Sequence, residues 1–321
     1  MNKMDNRNID DNLRPKNLDD YIGQENVKKQ LKIFIEAAKK RNKPIDHILI
    51  TGPAGLGKTS LAYVIAKELN KNIIITSAPI LDKKGDIAGI LSSLNEGDIL
   101  FIDEIHRLNP SIEEILYSAL EDFCIDIVIG KKTTAKTIRI NLPRFTLIGA
   151  TTKVGMLTNP LISRFGIILK MDFYTNEELK KIIKRSAKIL GIDITEDGAI
   201  EIAKVSRGTP RIANRLLKRI HDFCIVNRKT IIDGKIAKEG LRFLGINSFG
   251  LEEIDIKYLK LLVYDFNCKP VGLNTIISAL SEDKYTVEEV IEPYLIRLGL
   301  IEKTQRGRIP TEKAKQILKN M

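Results

Sequence analysis

The 321 residues are enough for two or three domains, and 43% of them are hydrophobic, as in an ordinary globular chain. No apolar run approaches the ~18 residues a membrane span needs, and Met1–Arg14 is polar, so the sequence predicts a soluble, cytoplasmic protein. The net charge of +11 has the sign that suits an anionic partner, and neither the three cysteines (Cys124, Cys224, Cys268) nor the three histidines (His47, His106, His221) have metal-ligand spacing.

The first part of the chain alternates strand-like and helical patterns. His47–Thr51 is a short apolar run ending at a glycine, and Lys58–Leu69 has helical spacing. Asn72–Thr76 and Asp98–Ile102 are further apolar runs. Pro110–Asp122 is helical, with proline near its start. Phe145–Ala150 is counted as the fifth core strand. Such alternation predicts an α/β fold with a mostly parallel sheet covered by helices.

One segment breaks the alternation. Cys124–Gly130 and Thr137–Leu142 are β-rich runs joined by a short polar stretch, which reads as a hairpin inserted before the Phe145–Ala150 strand. Its isoleucines (Ile125, Ile127, Ile129, Ile138, Ile140) either pack on their own domain or form a docking site for a partner.

From Thr175 the pattern is helical. Asn176–Leu190, Glu196–Val205, Pro210–Asn227 and Asp233–Leu244 suit a small bundle, and Gly245–Gly250 reads as a linker. Three helical segments follow, Asp255–Phe266, Val271–Leu280 and Thr286–Leu298. Strand-like ends then flank Arg306-Gly307, and Thr311 starts a terminal helix, the layout of a winged helix. Lys303–Lys319 holds six basic residues against one acid, Glu312.

The chemistry is concentrated in a few motifs. Gly52-Pro53-Ala54-Gly55-Leu56-Gly57-Lys58-Thr59 matches GxxxxGK[ST] after a strand and at a helix start. Glycines such as Gly55 and Gly57 let the backbone wrap phosphates, and the helix N-terminus offers partial positive charge. Lys58 would reach the β- and γ-phosphates of ATP, and the Thr59 hydroxyl would ligate Mg²⁺. Ile99–Ile102 runs into Asp103-Glu104 about 45 residues downstream. Asp103 would hold the Mg²⁺ shell and Glu104 would polarise the attacking water.

Three further sites depend on that nucleotide. Gly149-Ala150-Thr151-Thr152 ends an apolar strand, where a hydroxyl can sense the γ-phosphate. Thr152 is the candidate, with Thr151 left open. Arg164, in Leu161–Gly166, is either a solvated charge or a finger that reaches a neighbouring subunit's nucleotide. Arg211, in Gly208–Arg211 at a helix start, would fold back over the phosphates of its own chain.

Together, Leu13–Pro15, Asp19–Gln24, the P-loop, Asp103–Leu108, Glu121–Phe123, Gly149–Thr152 and Gly208–Asn214 resemble the AAA+ ATPases. Within that class the chain is similar to the RuvB family of bacterial Holliday-junction branch-migration motors, over almost its whole length. Ile105–Leu108 and Glu121–Phe123 are more specific than the P-loop and the carboxylate pair. The resemblance implies a large ATPase domain (1–174, with the hairpin at about 124–142), a helical lid (175–245) and a winged-helix DNA-binding head (248–321). It implies a hexameric ring driving branch migration in recombination and repair, with RuvA on the hairpin and the nuclease RuvC completing the pathway. By matching positions, Leu13, Arg14, Ser60, Glu121, Asp122, Phe123 and Tyr174 would contact nucleotide. Arg164 would act in trans and Arg211 as the sensor arginine. Lys303, Arg306 and Arg308 would contact DNA.

This sequence departs from the family in several places. Ala54 stands where a second proline is usual and Ser60 where threonine is, and both changes should be tolerated. Ile162 replaces an arginine, so Arg164 alone can serve as a finger there. Lys303 replaces arginine, keeping the charge but losing the planar fork. Two alternatives share some features. A clamp loader has the AAA+ core but not Ile105–Leu108 and the hairpin. A winged-helix regulator with a vestigial ATPase would not need Lys58, Thr59, Asp103 and Glu104 intact.

Overall fold

The computed structural model describes residues 12–129 and 136–320. The chain forms two compact units: the residues up to Ile182 with Thr209–Arg211, and Ile183–Gly208 with Ile212 onward.

The first unit is built on a parallel sheet. Its elements are α1 (Glu25–Arg41), β1 (Ile48–Thr51), α2 (Lys58–Leu69), β2 (Ile73–Ser77), α3 (Lys84–Ser92), β3 (Ile99–Asp103) and α4 (Pro110–Glu121). A hairpin of β4 (Cys124–Ile129) and β5 (Lys136–Asn141) follows, then β6 (Thr146–Thr151), α5 (Asn159–Ile162) and β7 (Ile167–Lys170). The sheet order is β2-β3-β6-β1-β7. Buried strands β1 and β6 are apolar throughout except for threonines, because helices cover both faces. Edge strand β7 instead alternates, with Ile167 and Leu169 buried and Ile168 exposed.

One expectation changes here. Thr146–Thr151 is the fourth strand of this sheet, not the fifth. The fifth is β7, which carries only four residues and one solvent-facing row. Helices α1 and α3 add to the expected elements, and Val27, Leu31, Ile35 and Ala38 line one buried face of α1.

Pairing brings the working ends together. Thr51 of β1 lies opposite Thr151 of β6, and Ile102 of β3 lies opposite Gly149. The P-loop, Asp103 and Thr151 therefore share the C-terminal edge of the sheet, where ligands bind in open α/β folds. Beneath that edge, Ile112, Leu116 and Ala119 of α4 join Leu100, Ile102 and Leu147 in one core. Each large aliphatic side chain buried there contributes about 1.5–3 kcal/mol.

In the hairpin, Ile125 pairs with Ile140 and Ile127 with Ile138. Its base is packed, with Ile125 buried in the core and Ile140 against it, while Ile138 is 47% exposed. Arg139 holds Asp126 across the strands through two 2.9 Å bonds. The turn expected between the strands lies outside the described residues.

Helix α6 (Asn176–Leu190) leads into the second unit. Then come β8 (Asp193–Ile194), α7 (Glu196–Val205), α8 (Pro210–Val226), β9 (Ile231–Ile232) and α9 (Gly234–Phe243). Thr195 and Asp233 cap α7 and α9 by accepting from Gly198 N and Ile236 N. The winged-helix part holds α10 (Glu253–Lys260), α11 (Leu273–Leu280), α12 (Glu292–Arg297), β10 (Ile301–Thr304), β11 (Gly307–Pro310) and α13 (Glu312–Lys319). Gly307 has φ 135°, and an added Cβ would strike the Val271 carbonyl that Arg308 N bonds at 2.8 Å.

The Gly245–Gly250 linker is held in a closed turn. Ile246 is buried and its N–H bonds Leu241 O at 2.9 Å. Asn247 Oδ1 accepts from Phe249 N and Leu251 N, and the Tyr294 hydroxyl donates to Phe249 O at 2.6 Å.

Candidate nucleotide site and basic wing

The P-loop takes a path open to glycine. Gly52, Gly55 and Gly57 have φ of 142°, 79° and 98°, and the loop ends where Lys58 begins α2. Lys58 Nζ donates to Gly52 O and Pro53 O at 2.8 and 2.9 Å. Burial lowers its pKa, opposed by the charges of Asp103 and Glu104 and reinforced by that of Arg211. Two tyrosines brace the loop. The Tyr174 hydroxyl lies 3.2 Å from Leu56 O, and the Tyr21 hydroxyl bonds Gly57 O at 3.3 Å. Burial pushes the Tyr174 phenol up to about 12. Tyr174 is thus placed behind the loop backbone. Tyr21, in the Asp19–Gln24 motif, has the same placement.

Other expected contacts surround the loop. Thr59 and Ser60 lie half-buried in the first turn of α2. Leu13 is buried, and the Arg14 guanidinium stacks over Tyr63 at 4.4 Å. The Arg211 N–H faces Gly55 O at 3.4 Å, so its backbone is seated on the P-loop while the residue is solvent-exposed.

The carboxylates end β3. Glu104 N donates to Asp103 Oδ1 at 3.0 Å, and Glu104 has left-handed φ of 51°. Its Oε2 lies 3.3 Å from His106 Nε2, and His106 Nδ1 lies 2.9 Å from the Thr151 hydroxyl oxygen. Thr151 is fully buried and also accepts from Lys153 N at 2.9 Å. Thr152, the next residue, is half-buried. His106 was missed because the sequence sets it apart only as part of Ile105–Leu108. Among the described residues, no group of three or more His, Cys, Asp or Glu side chains is placed to cage a metal. Thr59 and Asp103 offer two hard oxygens, a partial set of the kind Mg²⁺ uses when phosphates and water supply the rest.

Arg164 is folded onto its own α4. Its Nη2 meets Glu121 Oε2 at 2.8 Å, its Nε donates to Tyr117 O at 3.2 Å, and its guanidinium stacks over Tyr117. Glu121 and Asp122 are exposed beside it. Phe123, at φ 50°, packs edge-on against Phe145 under Arg144.

In the wing, Lys303 lies opposite Arg308 in the β10–β11 pair. Arg308 donates to both oxygens of Glu292, and Lys303 Nζ lies 3.0 Å from the same carboxylate. The Arg308 side chain is 12% exposed, that of Lys303 46%, and Arg306 is exposed at the turn.

A P-loop on β1, an Asp-Glu pair ending β3, a polar β6 end and an arginine seated on the P-loop define an AAA+ P-loop ATPase. Three family models match the chain in succession. They are the Holliday junction DNA helicase RuvB P-loop domain (13–171), the RuvB AAA lid domain (174–247) and the RuvB C-terminal winged helix domain (248–319). The chain belongs to the RuvB family.

Similar proteins agree along nearly the full length. The chain is 57% identical over 307 residues to the Campylobacter lari Holliday junction branch migration complex subunit RuvB, spanning 96% of this chain and 91% of that one. The Fusobacterium nucleatum subunit of the same name is 56% identical, spanning 98% and 94%. The Thermotoga maritima RuvB Holliday junction branch migration motor superposes with a TM-score of 0.86 at 51% identity, over 96% of this chain and 98% of that one. Because the matches run through lid and winged helix, the clamp-loader and regulator alternatives are set aside.

Proposed function

We propose that this chain is the ATP-driven motor subunit that moves duplex DNA through Holliday junctions. The observation that carries the chemistry is the shared sheet edge: the P-loop after β1, Asp103-Glu104 at the end of β3 and Thr151-Thr152 at the end of β6. Lys58 would exchange its loop carbonyls for phosphate oxygens. Thr59 and Asp103 would hold Mg²⁺, which neutralises charge on the phosphates. Glu104 would orient and polarise the attacking water. Thr152 is the γ-phosphate sensor, because the Thr151 hydroxyl is already engaged with His106 and Lys153.

Leu13, Arg14, Gly55, Gly57 and Ser60 complete the nucleotide cradle, with Tyr174 bracing it. Arg211 reports nucleotide state from the start of α8. Arg164 with Glu121, Asp122 and Phe123 forms the face turned to the next subunit's nucleotide in a hexameric ring. The basic wing grips phosphates, which carry no sequence information and so suit a translocating motor. The hairpin, on which Ile138 is 47% exposed, is where RuvA would dock, and RuvC would resolve the junction. Domain limits of 1–174, 175–245 and 248–321 fit this division of labour.

The test is ATPase rate and branch migration of a four-way junction, with and without circular duplex DNA and a RuvA partner. Turnover stimulated by DNA and junction movement requiring ATP are expected. Clamp opening, or binding to one duplex sequence without stimulated turnover, would favour the other readings.

A further inference from the structure

We infer that His106 is a positioning residue for Glu104, tying the hydrolytic carboxylate to the strand end that carries the γ-phosphate sensor. The inference rests on the reading of Glu104 as the residue that activates water. The geometry forms a chain of four groups: Lys153 N, the Thr151 hydroxyl, the His106 ring and Glu104 Oε2, at successive distances of 2.9, 2.9 and 3.3 Å.

With the ring neutral, donor and acceptor rules give this chain one direction. A carboxylate accepts only, so the 3.3 Å approach of Nε2 to Glu104 is favourable when Nε2 carries the proton. In the neutral ring Nδ1 is then an acceptor, and it takes the Thr151 hydroxyl proton. That hydroxyl oxygen still accepts from the Lys153 amide, which can only donate. Every polar atom in the chain is matched, with no proton in conflict.

The surroundings hold the chain in place. The His106 side chain is 5% exposed and Thr151 is fully buried, so water competes little for the bond between them, while the Glu104 carboxylate stays open to solvent at 36%. The Ile105–Arg107 turn is pressed against β6, where a Cβ on Gly149 would stand 2.9 Å from Ile105 Cδ1. Glu104 sits in the left-handed region, a strained position that neighbouring structure must maintain. Thr151 and Thr152 are adjacent on one backbone. A displacement of this strand end on γ-phosphate contact therefore reaches Glu104 through His106.

The experiment compares His106→Ala and His106→Gln with the parent by single-turnover hydrolysis and by nucleotide affinity. His106→Ala should slow hydrolysis by about 10²-fold, the scale of an ångström-level misplacement, with nucleotide Kd unchanged. His106→Gln, which keeps a donor, should recover part of the rate. In a Glu104→Gln background His106→Ala should cost nothing further. An equal loss in both backgrounds, or a change confined to Kd, would overturn the inference.

A spectroscopic arm does not depend on activity. The chain has three histidines, so long-range ¹H–¹⁵N spectra resolve each ring. His106 should show the Nε2–H tautomer and respond to Thr151→Val. An Nδ1–H tautomer, or no response, would overturn the chain. If Glu104→Gln hydrolyses like the parent, the reading of Glu104 fails, while the spectra still decide the hydrogen bonds.

Discussion

Arg308 donates from Nε to Glu292 Oε1 at 2.7 Å, and that carboxylate is 1% exposed. The same carboxylate accepts from the buried Tyr258 hydroxyl at 3.0 Å and pairs with Lys303. The wing is thereby fastened to the first residue of α12.

Removing one member of a buried ion pair leaves the other unpaired, which costs about 3–5 kcal/mol. Glu292→Ala should therefore destabilise the winged-helix part by that amount, read as a loss in denaturant midpoint. Burial raises the Glu292 pKa, but Arg308 and Lys303 outweigh it and hold the carboxyl below its usual range. A depressed folded value means the stabilisation is complete above the ordinary glutamate value of about 4.3. It is lost as pH falls through the lower folded value. The gap between parent and Glu292→Gln should narrow in that acid window. A gap independent of pH would refute the assignment.

Arg164 contacts its own α4 through Glu121 and Tyr117, and we propose that it reaches the next subunit's nucleotide. Arg164→Ala should assemble yet lose about 10³-fold or more in turnover, the scale of an arginine finger. Mixing it with Lys58→Ala should restore part of the activity, because a mixed ring contains some sites with both groups. If no mixing ratio restores turnover, Arg164 does not act in trans.

Local signals made much of the fold legible. Helix α2 is bounded by Gly57 and by Asn70, which adopts the left-handed cap that asparagine tolerates. Strand β7 was not legible, because four residues at a sheet edge with Ile168 exposed carry little pattern. The motif residues were readable because their spacing along the chain is diagnostic. His106 was not, since its link to Thr151 exists only once β3 pairs with β6. Arg308 reads from the sequence as a DNA-contacting cation, and its bond to Glu292 exists only once the wing packs on α12.

A second buried pair lies within the lid and head. Arg207, at φ 50°, bonds Asp255 Oδ2 and stacks over Tyr294 at 4.4 Å. The left-handed backbone costs an arginine about 1–2 kcal/mol, so the side chain's contacts must hold it there. Asp255 Oδ1 is buried without a partner, and burial raises this carboxyl above its usual range despite Arg207. Arg207→Ala should cost about 3–5 kcal/mol at neutral pH. The loss should shrink in acid, where Asp255 is protonated. Equal losses at both pH values would show that the charge pair is not what Arg207 contributes.

If the wing grips phosphates as proposed, salt dependence separates its exposed cations from the covered one. Each phosphate neutralised releases counterions, so losing one contact lowers the slope of log K against log salt by about 1. Lys303 and Arg306 present exposed side chains. Lys303→Ala and Arg306→Ala should each lower the slope by that amount, equally on any duplex sequence. Arg308, mostly covered and bound to both oxygens of Glu292, should behave differently. Arg308→Ala should reduce thermal stability first, and Arg308→Lys should recover little because the fork is lost. A slope lowered by Arg308→Ala at unchanged stability would instead make Arg308 a direct phosphate contact.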